Sequence, residues 1–144
     1  MQDLLANYPV AWTETLQWGD MDAFNHINST HYFRYFENAR IAYLEKLGLL
    51  QRFKSDSLAI VVKDQSCRYK APLKYPDTIS VGLSAGSIES DRLTFKYDII
   101  SHNSKLITTT GSSNMVIVDS NSGAKTNMPD DVAEKIVNLE SPYL

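Results

Sequence analysis

Cys67 is the only cysteine among the 144 residues, so no internal disulfide and no thiolate metal cluster can form. Long apolar runs are also missing. Nothing approaches the roughly 20 residues of a membrane span, and Met1–Pro9, which carries Asp3, has no signal-peptide pattern. A reducing, cytoplasmic setting is the expectation. A basic excess is absent too: 14 basic against 17 acidic residues leave a net charge of −3, which argues against a nucleic-acid partner. Glycine and proline are sparse, six and five, and no repeat, low-complexity tract or linker divides the chain. Residues 1–144 therefore read as one domain, large enough to bury roughly two-thirds of its chain surface.

The densest chemistry lies between Trp18 and Arg40. Asp20, Asp22, Asn25, His26 and Asn28 fall within nine positions, just ahead of an amphipathic helix. A bend that only reversed the chain would need little more than a glycine or proline. Free backbone N–H groups and the positive end of the helix dipole favour negative charge developing there. Asn28 or Ser29 can cap the helix, Tyr32, Phe33, Phe36, Ala39, Tyr43, Leu44 and Leu47 recur at helical spacing, and Gly48 suits a left-handed end.

Around this helix the pattern is β. Val10–Trp18 alternates as a half-buried strand, with Trp12, Leu16 and Trp18 on one parity. Leu49–Ser57 reads as a connector. Leu58–Val62 and Ser66–Lys70 read as two short strands, and Thr78–Ile88, Arg92–Ile100 and Lys105–Val118 as three longer ones, with Gly111 marking a bulge or bend. Pro129 can open a terminal helix, Asp130–Leu139. One long helix against a curved antiparallel sheet is an α+β arrangement. Its open edges and uncovered face favour pairing with a second copy.

The run Asp20-Met21-Asp22-Ala23-Phe24-Asn25-His26-Ile27-Asn28, with Tyr32 and Tyr35-Phe36-Glu37-Asn38-Ala39-Arg40, resembles the hotdog-fold acyl thioesterases, and among them the 4-hydroxybenzoyl-CoA thioesterase-like group. Tyr69-Lys70-Ala71-Pro72 and Val118-Asp119 agree with it. The resemblance implies the hotdog fold, a homodimer or homotetramer, and hydrolysis of acyl-CoA or acyl-carrier-protein thioesters. It maps the catalytic carboxylate onto Asp22. His26 matches a histidine of plant acyl-carrier thioesterases, whereas their asparagine position holds Phe24 here.

Asp22 can serve as general base on water or attack the carbonyl itself. Backbone N–H groups near Asn28 to Thr30 can polarise the thioester oxygen, while His26 and Asn28 can orient water or hold Asp22. Each also has a structural reading: a turn cap for Asp22, a hydrogen-bonded histidine for His26, a helix cap for Asn28. Glu37 reads as an ion-pair partner of Arg40, with a catalytic role as the alternative. No metal or other cofactor is needed. His26 and His31 stand five apart, not the four that put two ligands on one helical face. Arg68 and Lys70, with Lys63 nearby, are candidate partners for phosphates of the substrate, or else solvated surface cations. Tyr32 can wall an acyl tunnel, and Ala59–Lys63 is the expected wall supplied by a partner subunit. A non-catalytic acyl-CoA or lipid-binding hotdog module is the alternative function.

Overall fold

The computed structural model describes residues 1–144. A short helix α1 (Gln2–Leu5) precedes β1 (Val10–Thr15). Two 3-10 turns, Trp18–Asp20 and Ser29–His31, flank the polar bend and lead into α2 (Tyr32–Lys46). Then come α3 (Leu49–Ser55), β2 (Leu58–Tyr69), β3 (Thr78–Glu89), β4 (Arg92–Ser101), β5 (Ile107–Asp119) and α4 (Asp130–Glu140). The five strands form one antiparallel sheet in the order β1-β3-β4-β5-β2. This is the helix-and-sheet arrangement that the resemblance implied.

One face of α2 is buried, aromatic and aliphatic apart from Arg40: Tyr32, Tyr35, Phe36, Ala39, Tyr43 and Leu44. They meet alternate residues of the sheet, Ile79, Val81 and Leu83 from β3 and Leu93, Phe95, Tyr97 and Ile99 from β4, as the two-residue strand period requires. Aromatic packing fixes the helix in register. Phe36 stacks on Tyr97 at 4.4 Å, and Tyr43 meets Phe95 edge-on at 5.1 Å. Gly111 is where the sheet lets the helix in. It faces Cys67 on β2 and Tyr97 on β4, and a Cβ there would lie 2.4 Å from the Phe36 ring. Close approach, and no break in the strand, is what this glycine supplies.

Several expected boundaries are corrected. The first strand ends at Thr15, and Trp18 stands 71% exposed on a 3-10 turn, because the sheet partner of β1 runs out at Thr78. The helix is shorter at its start, since Ser29–His31 winds as a 3-10 turn. Gly48 does take a left-handed φ of 70°. It joins α2 directly to α3, so Leu49–Ser55 is helix where a connector was expected, anchored by buried Leu49 and Phe53. The two short strands expected over 58–70 are one continuous edge strand. Its pairing with β5 slips between Val62 and Asp64, and its polar middle, Lys63 and Asp64, is solvent-facing. α4 closes the far side through buried Val132 and Ile136. It is tied down by the Tyr43 hydroxyl donating to Glu140 at 2.7 Å and by ion pairing of Asp131 with Arg52.

Candidate active site

The bend is a small hairpin held by its own backbone. Met21 and Ile27 form an antiparallel bridge. The Asp22 N–H donates to the His26 carbonyl at 2.9 Å, and the Asn28 N–H to the Asp20 carbonyl at 2.9 Å. Asn25 takes a left-handed φ of 61° to close the tip, a conformation that asparagine tolerates better than most residues. Buried Ile27 docks the hairpin on the body of the protein, its N–H donating to the Leu73 carbonyl at 2.8 Å.

This geometry decides the orientation of Asp22. One carboxylate oxygen, Oδ1, accepts the Phe24 N–H at 2.9 Å; the other oxygen has no hydrogen-bond partner within the chain. The half-buried side chain lines a hollow of about 430 Å3 with His26, Ile27, Ser29 and Tyr32 on one side and Tyr69, Lys70, Ala71 and Pro72 on the other. Tyr32 and Tyr69 meet edge-on at 4.8 Å across the floor. Burial pushes the Tyr32 hydroxyl up, opposed by the Leu73 backbone N–H and reinforced by the nearby charge of Asp22. Burial likewise pushes Tyr69 up to about 12, helped by its contact with the Cys67 thiol. Both rings remain neutral across the physiological range.

Four of the expected residues therefore meet: Asp22, His26, Tyr32 and Lys70. The other four do not. Asn28 lies outside the hollow, and its Oδ1 caps the 3-10 turn by accepting the Thr30 N–H at 2.9 Å, the structural reading. Arg68 points away from the hollow. Tyr69 packs towards α2 against Tyr32, so strand alternation sends Arg68 to the opposite face of the sheet, beside Lys96, Asp98 and Ser112. Ala59 lines a separate apolar cavity with Glu37 and Arg40, and Lys63 a further hollow with Arg92 and Asn114. Asp20 sits 3.7 Å from His31, a brace across the start of the helix. Glu37 lies 3.9 Å from Arg40.

Two further residues of the hollow were read from sequence only in part, Ser29 as a helix cap and one of the Asn28–Thr30 amide donors, Tyr69 as part of the Tyr69-Lys70-Ala71-Pro72 string. Ser29 directly follows the motif, and its backbone N–H has no partner, whereas those of Asn28 and Thr30 are both taken. Tyr69 carried a signal in the strand pattern, two residues beyond Cys67 on the same face.

The thioesterase-like superfamily matches residues 16–136. The chain belongs to that superfamily. A protein of Aquifex aeolicus named "Putative esterase" is 31% identical over 90 residues, covering 62% of this chain and 70% of its own. The thioesterase-like protein PA2801 of Pseudomonas aeruginosa superposes with a TM-score of 0.80 at 28% identity, over 90% of this chain and 98% of that one. The DHNA-CoA thioesterase of Staphylococcus aureus superposes with a TM-score of 0.83 over 92% of this chain and 91% of its own, at 20% identity, a likeness of fold. Hotdog architecture and superfamily membership thus agree with the arrangement of helix, sheet and bend. No helix is long and apolar enough to cross a membrane.

Proposed function

We propose that this chain hydrolyses thioesters of the phosphopantetheine type, acyl-CoA or acyl carrier protein, with Asp22 as the reacting carboxylate. The observation that carries this reading is an Asp22 oxygen with no partner in the chain, on a side chain that lines the hollow together with Ser29, whose backbone N–H is unpaired. A thioester carbonyl between the two would meet a base or nucleophile on one side and an oxyanion donor on the other. The Ser29 N–H opens the 3-10 turn that leads into α2, so the dipole end adds to the donor. His26 at the rim can orient water, Tyr32 and Tyr69 give an apolar floor for the first acyl carbons, and exposed Lys70 can meet a phosphate of the carrier. Free thiol released from a panel of acyl-CoA substrates tests the proposal. On its best substrate the protein should reach a kcat/KM of about 10⁴ M⁻¹s⁻¹ or more. Tight acyl-CoA binding without turnover of any substrate would leave the binding-module reading instead.

The same reading calls for a homodimer. β2 is twelve residues long with one edge unpaired, and Val61, Val62 and Tyr69 are exposed on it. Such an edge is a template for another strand. Antiparallel pairing of two copies centred on Asp64 would bring Ala59 of one opposite Tyr69 of the other, and so close the open side of the Asp22 hollow with the Ala59–Lys63 segment. Sedimentation should then give a particle of twice the 16.2 kDa chain mass or a multiple of it. A monomer with full turnover would refute the shared wall.

A further inference from the structure

A second cavity, of about 440 Å3, lies between α2, α3 and the first half of β2. Its walls are mainly apolar, including Leu44, Phe53, Ile60, Phe95 and Met115; Glu37, Lys54 and Arg40 are its charged members. Glu37 and Lys54 belong to the exposed surface. Arg40 does not: its side chain is only 9% exposed. Nη1 donates to the Tyr97 hydroxyl at 3.2 Å and, more distantly, to Ser113 Oγ at 3.4 Å. Nη2 is 3.9 Å from Glu37, beyond hydrogen-bond reach. The protons of the neighbouring hydroxyls run away from the arginine, from Tyr97 to Ser113 at 3.0 Å and from Ser113 to Gln65 at 3.3 Å.

A guanidinium brings five donors and a charge that cannot be shed. Buried, it calls for a carboxylate or phosphate within hydrogen-bond distance. Here its hydrogen bonds go to two neutral hydroxyls, and its one carboxylate neighbour is the exposed Glu37, the expected ion-pair partner, at 3.9 Å from Nη2 and too far for a hydrogen bond. The unmet demand falls on a cavity whose other buried walls are hydrocarbon. We infer that this cavity takes an acyl group with an apolar body ending in a carboxylate, and that Arg40 is the specificity residue that pairs with it, in the two-pronged geometry guanidinium offers. That the ligand is an acyl group rests on the thioesterase reading. Ala59 belongs both to this cavity and to the wall proposed to face the Asp22 hollow, which puts the two ends of one substrate within a shared enclosure.

The test compares suberyl-CoA with octanoyl-CoA, equal in length and differing in the terminal carboxylate. The native protein should favour suberyl-CoA in kcat/KM by about tenfold or more, the worth of a charge-assisted hydrogen bond. Arg40→Gln should bring the ratio close to one, and Arg40→Lys should leave it between. A native ratio near one, or a ratio unchanged in Arg40→Gln, overturns the assignment. Should Arg40→Gln fail to fold, Arg40→Lys and the native ratio decide. Dissociation constants for the two thioesters, measured calorimetrically, separate this inference from the reaction. A chain that hydrolyses neither yet binds suberyl-CoA about tenfold tighter keeps the pocket and loses the hydrolase. Equal binding of the two by the native chain rejects the pocket, whatever the turnover.

Discussion

Asp22→Asn is expected to lower kcat for thioester hydrolysis about a thousandfold, the usual contribution of a positioned base or carboxylate nucleophile. The substitution is chosen for what it keeps. Asparagine has the same shape, and its side-chain oxygen can still accept the Phe24 N–H that Asp22 Oδ1 accepts at 2.9 Å, so the turn survives. What disappears is the charge and basicity of the second oxygen, which is unpartnered in the chain, on a side chain that lines the hollow. The thermal midpoint should therefore hardly move, because a half-buried side chain that retains its only hydrogen bond contributes at most about 0.5 kcal/mol through its lost charge. KM should also change little, because Tyr32, Tyr69 and Lys70 are untouched. Equal rates for the two proteins would remove Asp22 from the reaction. One turnover in oxygen-18 water tests for the anhydride route: label in the Asp22 carboxylate requires it, whereas label confined to the released acid arises either from water activated by Asp22 or from water attacking the acyl carbon of an anhydride.

How much of this was legible in the amino acids depends on what each residue answers to. The bend was readable because five polar side chains within nine positions have no reason to gather in a simple turn, and Asp22, His26, Tyr32 and Lys70 do line one hollow. Arg68 was grouped with Lys70 by nearness in sequence; alternation along β2 puts Arg68 on the face opposite Tyr69, while Lys70 lies just past the end of the strand, where that alternation no longer holds. Edge strand β2 was misread as two pieces because an edge with no partner on one side need not alternate, and Lys63 and Asp64 sit in its exposed middle. Helix α3 spans seven residues, too few for a 3.6-residue period to declare itself. The free Ser29 N–H is a three-dimensional fact. Which of three successive amides stays unpaired follows from the Asp20 carbonyl and the Asn28 side chain each taking one.

Gly111→Ala is expected to cost about 3 kcal/mol, at the upper end of overpacking effects, and to lower the thermal midpoint by about 10 °C in a domain of this size. A methyl group there would lie 2.4 Å from Phe36 Cε2 and 2.8 Å from the Ser66 carbonyl oxygen. Neither neighbour can yield cheaply. Ser66 O is strand backbone, and the fully buried Phe36 ring is stacked on Tyr97 at 4.4 Å. Gly82 is the contrast. The three atoms nearest a Cβ there all belong to the Tyr8 ring, at 2.6 Å, and Tyr8 lies on the N-terminal segment, tied by its hydroxyl to Asp98 at 2.6 Å. Gly82→Ala should therefore displace Tyr8 and cost about the 1 kcal/mol of that hydrogen bond. The cause of the Gly111 effect is separable by a cycle. Phe36→Leu makes room by removing the ring, so Gly111→Ala combined with Phe36→Leu should lose less than the sum of the two, with a coupling of about 1–2 kcal/mol. Strictly additive losses, or an unshifted midpoint for Gly111→Ala alone, would mean that β5 moves aside freely. The helix that carries Tyr32 to the Asp22 hollow would then be held by something other than its seat against this glycine.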